Sequence, residues 1–297
     1  MSIKNSMSII NRNIKVALLQ FYTGSDKQAN LQKVKEFAAK AFAKEPGLDL
    51  LVLPECFNSP YAVDQFKNYS EPIPSGETTK FLSDLAKEYN VNIIGGSFPE
   101  LGSDNKIYNT SLTFDKRGEI VAKHRKAHLF DIDIPGKMTF KESISLAPGD
   151  KATVFQLDNL CKIGLGICYD IRFPELAMIA ARQGAGIMCY PGAFNTVTGP
   201  RFWTKFAVAR AIDNQVYILM CSPARNVEGG GYQAYGHSMV VDPNGDVLVE
   251  AGHGEEIVYC ELKPEVLDEA RKNIPITLQR RFDIYHDVSK DAVANAI

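Results

Sequence analysis

The chain has 297 residues, 45% of them hydrophobic, and its 33 basic against 35 acidic side chains leave a formal net charge of -2. That composition supplies a large core and, with Lys and Arg dispersed among Asp and Glu, no electrostatic footprint for nucleic acid. No apolar run is long enough to cross a bilayer and MSIKNSMSIINRN lacks the features of a secretory signal, so a cytoplasmic protein away from membranes is expected.

The predicted elements begin early. The first 25 residues carry no Asp or Glu, which makes a mitochondrial presequence the alternative destination, yet KVALLQ (15–20) already reads as a strand. A helix over 30–44 follows, then the apolar strand LDLLVLP (48–54), a helix near 78–89 and the strand NIIGGSF (92–98). The pattern turns antiparallel in IYNTSLTFDKRGEIVAKHRK, where DKRG is a turn between two alternating segments. ATVFQL (152–157) and the lean strand KIGLGI come next, and βα alternation resumes with the helix PELAMIAARQG and the strand AGIMCYPG. A helix over 203–214 and the strand VYILMCS (216–222) continue it. GHSMVVDPNGDVLVEAG predicts a hairpin around Pro243-Asn244-Gly245, EEIVYCEL a last strand, and Pro264 the start of a helix; the residues after His286 read as a tail. No repeat, linker or composition shift divides the run, so one domain is expected over 1–297 with its core at about 14–287. Strands this apolar need helices outside a sheet, which predicts an α/β fold.

Several motifs carry no chemistry. Six cysteines lie scattered without a CxxC pair, so reduced thiols are expected. His124 and His128 in HRKAH have the i, i+4 spacing of a zinc helix, but the glutamate of HExxH is missing and EIVAK before them reads as strand, so no metal is expected. The glycines at 229–231 form no phosphate loop, and GHSMV breaks GxSxG at its last position.

Ligands in sheets of this type gather outside the carboxyl ends of strands, and there the apolar runs end in Glu55, Lys126, Cys168 and Phe194-Asn195. Singly these are ordinary: a small buried hydrophobe, a helix-start carboxylate, a solvated lysine. Together, a thiol, a base and a cation are the inventory for acyl transfer through a thioester.

The blocks VLPECFNSPY, HRKAHLFDIDIPGKMTFKES, GICYDIRFPELA, YPGAFNTVTGP, ARAIDNQVY and YGHSMVVDPNG resemble the nitrilase (carbon-nitrogen hydrolase) superfamily from about Ile14 to Asp287. Their wording is similar to its omega-amidase branch, which deaminates 2-oxoglutaramate. The resemblance implies a four-layer αββα sandwich, a homodimer, and a Glu-Lys-Cys triad that uses no metal and no organic cofactor. It makes Cys168 the nucleophile, Glu55 the general base, Lys126 the cation beside the oxyanion and the Tyr169 backbone N–H a second oxyanion donor. Glu142 matches a further glutamate of the family that orients Lys126 or positions substrate; the plainer alternative is a loop carboxylate paired with a surface lysine. The substrate implied is a small amide carrying a carboxylate, in a pocket with Tyr61, Phe130, Arg172, Phe194 and Thr198 as candidate walls. Arg172 suits the carboxylate by its charged planar fork, and an ion pair with Glu175 or Asp170 is its alternative role. Tyr61 and Thr198 are alternative hydrogen-bond donors. An amidase acting on deaminated glutathione, or a non-catalytic binding protein on the same fold, are the competing functions.

Overall fold

The computed structural model of the protein describes residues 8–136, 138–228 and 231–285. The tail predicted after His286, two of the glycines at 229–231 and the first residues of the alternative presequence lie outside them.

Two sheets carry the fold. The first runs Glu256–Leu262, Ile14–Gln20, Leu50–Val52, Asn92–Ile94, Ile107–Phe114, Phe98–Leu101, with Ile120–Arg125 also paired to Ile107–Phe114. The second runs Val247–Glu250, Met239–Val241, Tyr217–Cys221, Ala185–Pro191, Cys161–Leu165, Thr153–Leu157. Three central strands of each sheet are parallel.

Period-2 alternation sets the layers. Val16 and Leu18 face the second sheet and pack in one cluster with Ile163, Leu165, Ile187 and Leu219. Ala17 and Leu19 point the other way, to Leu31, Val34 and Phe37 of the helix Lys27–Lys44 and Leu82 and Leu85 of the helix Glu77–Tyr89. On the second sheet Met188, Tyr190 and Ile218 face Ala177 and Ala180 of the helix Pro174–Arg182 and Trp203 and Ala207 of the helix Gly199–Asn214. The result is the expected αββα sandwich, whose strands are apolar on both faces because both are covered. No helix among the described residues is long and apolar enough to cross a membrane.

Both predicted hairpins form: Ile107–Phe114 pairs antiparallel with Ile120–Arg125, and Met239–Val241 with Val247–Glu250. Boundaries move where caps decide them. The first helix starts at Lys27 rather than 30 because the Asp26 side chain accepts the Ala29 N–H. The helix expected over 203–214 starts at Gly199, with Pro200 in its first turn. NIIGGSF is not one strand: it stops at Ile94 and a second strand, Phe98–Leu101, begins after a bend. At that bend Gly96 has φ +54°, and a Cβ there would lie 2.1 Å from the Pro54 carbonyl. The hairpin Asp131–Ile134 with Met138–Lys141 is an element the apolar pattern did not announce, its strands being only four residues each.

Candidate active site

Strand ends from both sheets converge. Leu50–Val52 delivers Glu55 and Ile120–Arg125 delivers Lys126 from the first sheet; Cys161–Leu165 delivers Cys168 and Ala185–Pro191 delivers Ala193 and Phe194 from the second. Glu55, Lys126 and Glu142 are fully buried and Cys168 nearly so.

Lys126 Nζ is the hub, donating to Glu55 Oε1 at 3.0 Å and to Glu142 Oε1 at 2.9 Å. Glu55 also accepts Asn109 Nδ2 at 2.8 Å and the Ala193 N–H at 2.7 Å. Glu142 accepts the Tyr61 hydroxyl at 2.7 Å and the Phe130 N–H at 2.7 Å. The alternative of a surface pair for Glu142 is therefore overturned: it is a buried carboxylate with three donors, one of them Lys126. A lysine and two carboxylates out of water persist only because every charge is met this way.

The electrostatics follow from that burial. Desolvation pushes the Glu55 carboxyl up, and the Glu142 charge adds to this, while Lys126 and a hydrogen bond with Cys168 pull it back without cancelling it. Burial disfavours the Lys126 ammonium, yet Glu142 and Glu55 hold it well above its ordinary value. Cys168 is pushed well above the usual thiol range by burial and then by the Glu55 charge, against the opposing pull of Lys126. The resting nucleophile is a neutral thiol beside a carboxylate of raised basicity.

Cys168 sits where the strand ends in a tight turn, Cys168–Arg172, with φ +47°, a left-handed conformation that costs a non-glycine residue energy and marks functional positions. Gly192 makes room for it: a Cβ there would come within 3.1 Å of Cys168 Cα and 3.3 Å of Trp203. Asp170 anchors the turn, accepting the Ile167 N–H at 2.9 Å, His124 Nε2 at 3.0 Å, and both the N–H and Nδ1 of His128 at 2.9 and 2.7 Å. The two histidines that flank Lys126 are thus tied to the nucleophile's turn through one carboxylate, held well below its ordinary range by these donors against its burial. Among the described residues no group of three or more His, Cys, Asp or Glu is placed to hold a metal ion.

The candidate walls divide. Phe130, Tyr169, Phe194 and Thr198 enclose Cys168 together with Ala193 and Tyr232, leaving about 10 Å³. Tyr61 lies instead on an adjoining cavity of about 260 Å³ whose wall includes Glu55, Ala193 and Tyr232. The Tyr61 hydroxyl is committed to Glu142, and that of Thr198 to Asn195 Oδ1 at 3.1 Å. Arg172 stands behind these walls, its guanidinium 4.7 Å and 4.9 Å from the Phe202 and Phe206 ring centres and 5.5 Å and 5.6 Å from those of Tyr169 and Phe194. No carboxylate of the described residues lies within 4 Å of it, so the alternative role, an ion pair with Glu175 or Asp170, is overturned; Asp170 is occupied by the histidines. Its Nε is buried without a hydrogen-bond partner, and burial lowers its pKa.

Asn109 and Tyr232 were invisible in the sequence. Asn109 lies in a strand where Thr110, Ser111 and Thr113 are also buried, so its polarity does not single it out. Tyr232 lies outside strands and helices, and no spacing points to it.

Residues 15–272 match the model of the carbon-nitrogen hydrolase family. The omega-amidase NIT3 of Saccharomyces cerevisiae is 52% identical over 290 residues, 96% of this chain and 99% of that protein. The omega-amidase NIT2 of Mus musculus is 49% identical over 276 residues, 93% of this chain and 98% of that one. The crystal structure of Saccharomyces cerevisiae Nit3, a member of branch 10 of the nitrilase superfamily, superposes with a TM-score of 0.86 at 49% identity, over 94% of this chain and 100% of that one. With likeness of this extent in sequence and in fold, the chain belongs to the carbon-nitrogen hydrolase family of the nitrilase superfamily, and it is a hydrolase of amide carbon–nitrogen bonds.

Proposed function

We propose that the protein is an omega-amidase, which hydrolyses the terminal amide of 2-oxoglutaramate or 2-oxosuccinamate to ammonia and the 2-oxo dicarboxylate. The observation that carries the amidase chemistry is the buried Lys126 bridging Glu55 and Glu142 beside the Cys168 thiol. The names of the relatives at about half identity support the choice of substrate.

In this reading Glu55 takes the Cys168 proton as sulfur bonds to the amide carbon, since the thiol is too weakly acidic here to ionise alone. The negative charge passes to oxygen, beside the Lys126 ammonium and the Tyr169 N–H. Glu55 returns the proton to nitrogen, the C–N bond breaks and ammonia leaves. Water then attacks the thioester carbon, Glu55 accepts one of its protons, the C–S bond breaks and the sulfur recovers its proton as the acid departs. Glu142 is a positioning residue in this scheme, fixing Lys126 through the salt bridge and Phe130 through its backbone. Phe130 and Phe194 supply an apolar, water-poor wall that strengthens each of these interactions. The functional protein is proposed to be a cytoplasmic homodimer, with the mitochondrion as the alternative location.

Ammonia release from 2-oxoglutaramate against a panel that includes deaminated glutathione and plain aliphatic amides tests the reading. Preference for 2-oxoglutaramate is expected, together with an acyl adduct on Cys168 after rapid quench. Cys168→Ala is expected to fold and to lose turnover. Activity within about tenfold of the parent, a barrier change of about 1.4 kcal/mol, would refute the thioester route.

A further inference from the structure

The space at Cys168 is about 10 Å³, room for one water and not for the acyl chain of an amide. The adjoining cavity is far larger, about 260 Å³, and has Glu55 in its wall. Ala193 and Tyr232 are the residues common to both walls. Ala193 has both backbone groups paired, its N–H on Glu55 and its carbonyl accepting the Tyr232 hydroxyl. Among the described residues Tyr232 is held by that side-chain hydrogen bond and by ring contacts, edge-on to Tyr61 at 4.5 Å and tilted to Phe140 at 6.0 Å. It belongs to no strand or helix.

None of the residues expected to meet a substrate carboxylate is free to do so from the Cys168 cavity. Arg172 lies outside its wall, and the hydroxyls of Tyr61 and Thr198 are already donated. The wall of the larger cavity includes Tyr22, Thr23 and Ser25, of which Tyr22 and Ser25 are exposed and so open it to solvent. The Tyr22 hydroxyl accepts a hydrogen bond from Asn226 Nδ2 at 2.7 Å, which leaves its own proton to donate. A carboxylate at this mouth keeps part of its hydration and needs no buried cation.

We infer that Tyr232 is a movable partition between the two spaces, and that a bound amide runs from Cys168, across the position its ring vacates, to a carboxylate at the Tyr22–Thr23–Ser25 mouth. Tyr232, shared by the two spaces, and Ala224, which lines only the larger one, then set the acceptable acyl length. The inference rests on the amidase reading, and its substrate class is an ω-monoamide whose acyl chain spans the larger cavity.

The experiment is a series of ω-monoamides of four-, five- and six-carbon dicarboxylic acids, with uncharged amides of matched length, run on the parent, Tyr232→Ala and Ala224→Leu. Thermal melting verifies that each variant is folded. Removing the ring is expected to raise kcat/KM for the six-carbon chain relative to the four-carbon chain by about tenfold, the scale of one methylene in an apolar pocket. Filling the larger cavity with Ala224→Leu is expected to lower the same ratio. Ratios that stay at the parent value, or that move in one direction in both variants, overturn the partition. A parent that turns over uncharged amides alone rejects the omega-amidase reading instead, and the length ratio among those amides still decides the role of Tyr232.

Discussion

Arg172 shows how a side chain's neighbours assign its work. Its guanidinium has aromatic faces on several sides and, among the described residues, no acid within ion-pair reach, an arrangement that uses its plane as much as its charge. A brace of this kind predicts that Arg172→Met lowers activity on 2-oxoglutaramate and on an uncharged amide of similar length by the same factor, with a fall in the thermal midpoint. A loss selective for the charged substrate by about 2–5 kcal/mol would give Arg172 the carboxylate after all. The sequence made Glu55, Lys126 and Cys168 conspicuous because each ends an apolar run, where a core residue would otherwise continue. It hid their supports, because Asn109 is 54 positions from Glu55 and Ala193 is 138, and only the converged fold brings those donors to one carboxylate.

At the scale of elements, Glu100 binds three strands of the first sheet at its edge. Lying on Phe98–Leu101, it accepts Thr110 Oγ1 at 2.6 Å from Ile107–Phe114, and Lys123 Nζ at 3.0 Å and Arg125 Nη2 at 2.7 Å from Ile120–Arg125. Burial alone would raise its pKa, but the hydrogen bonds from Arg125, Thr110 and Lys123 outweigh it and bring the value down to about 2. A folded pKa below the unfolded one of about 4.3 adds stability that is complete above that unfolded value and is lost as pH falls toward 2. Glu100→Gln is therefore expected to melt earlier than the parent at pH 7, with the gap narrowing from about pH 4.5 downward. A gap of constant size across that range would show that the charge of Glu100 contributes nothing. Lys126 follows directly on the strand these bonds secure, so the same variant should also slow turnover. Elements of this sheet were legible wherever apolar periodicity ran unbroken; the split at Gly95-Gly96 and the early helix start were not, being decided by a backbone contact and a cap.

At the scale of the molecule, the C-terminal segment leaves apolar side chains in water. Leu278 is 85% exposed, Ile274 65% and Ile284 56%. Exposed apolar residues gathered in one segment mark an interaction surface, and a second copy of the chain is the occupant that fits the proposed homodimer. Light scattering at micromolar concentration is expected to give twice the chain mass, falling to one chain in Ile274→Asp with Leu278→Asp. A parent chain that scatters as a monomer would end the proposal. The four-layer architecture itself was readable, since strands apolar on both faces have few other ways to be covered; the proposed dimer has no comparable periodic signal in the sequence of one chain.

The division of the site between the two sheets also imposes an order in time. Glu55 and Lys126 belong to the half of the chain that leaves the ribosome first, and Cys168 to the half that follows. Until the sheets stack through Val16, Leu18, Ile163 and Leu165, the thiol has no carboxylate to take its proton and, near its reference pKa of about 8.5, is mostly un-ionised at neutral pH. The nucleophile is thus armed only once the two sheets have stacked, and a nascent or unravelled chain carries a cysteine with no more reactivity than any other.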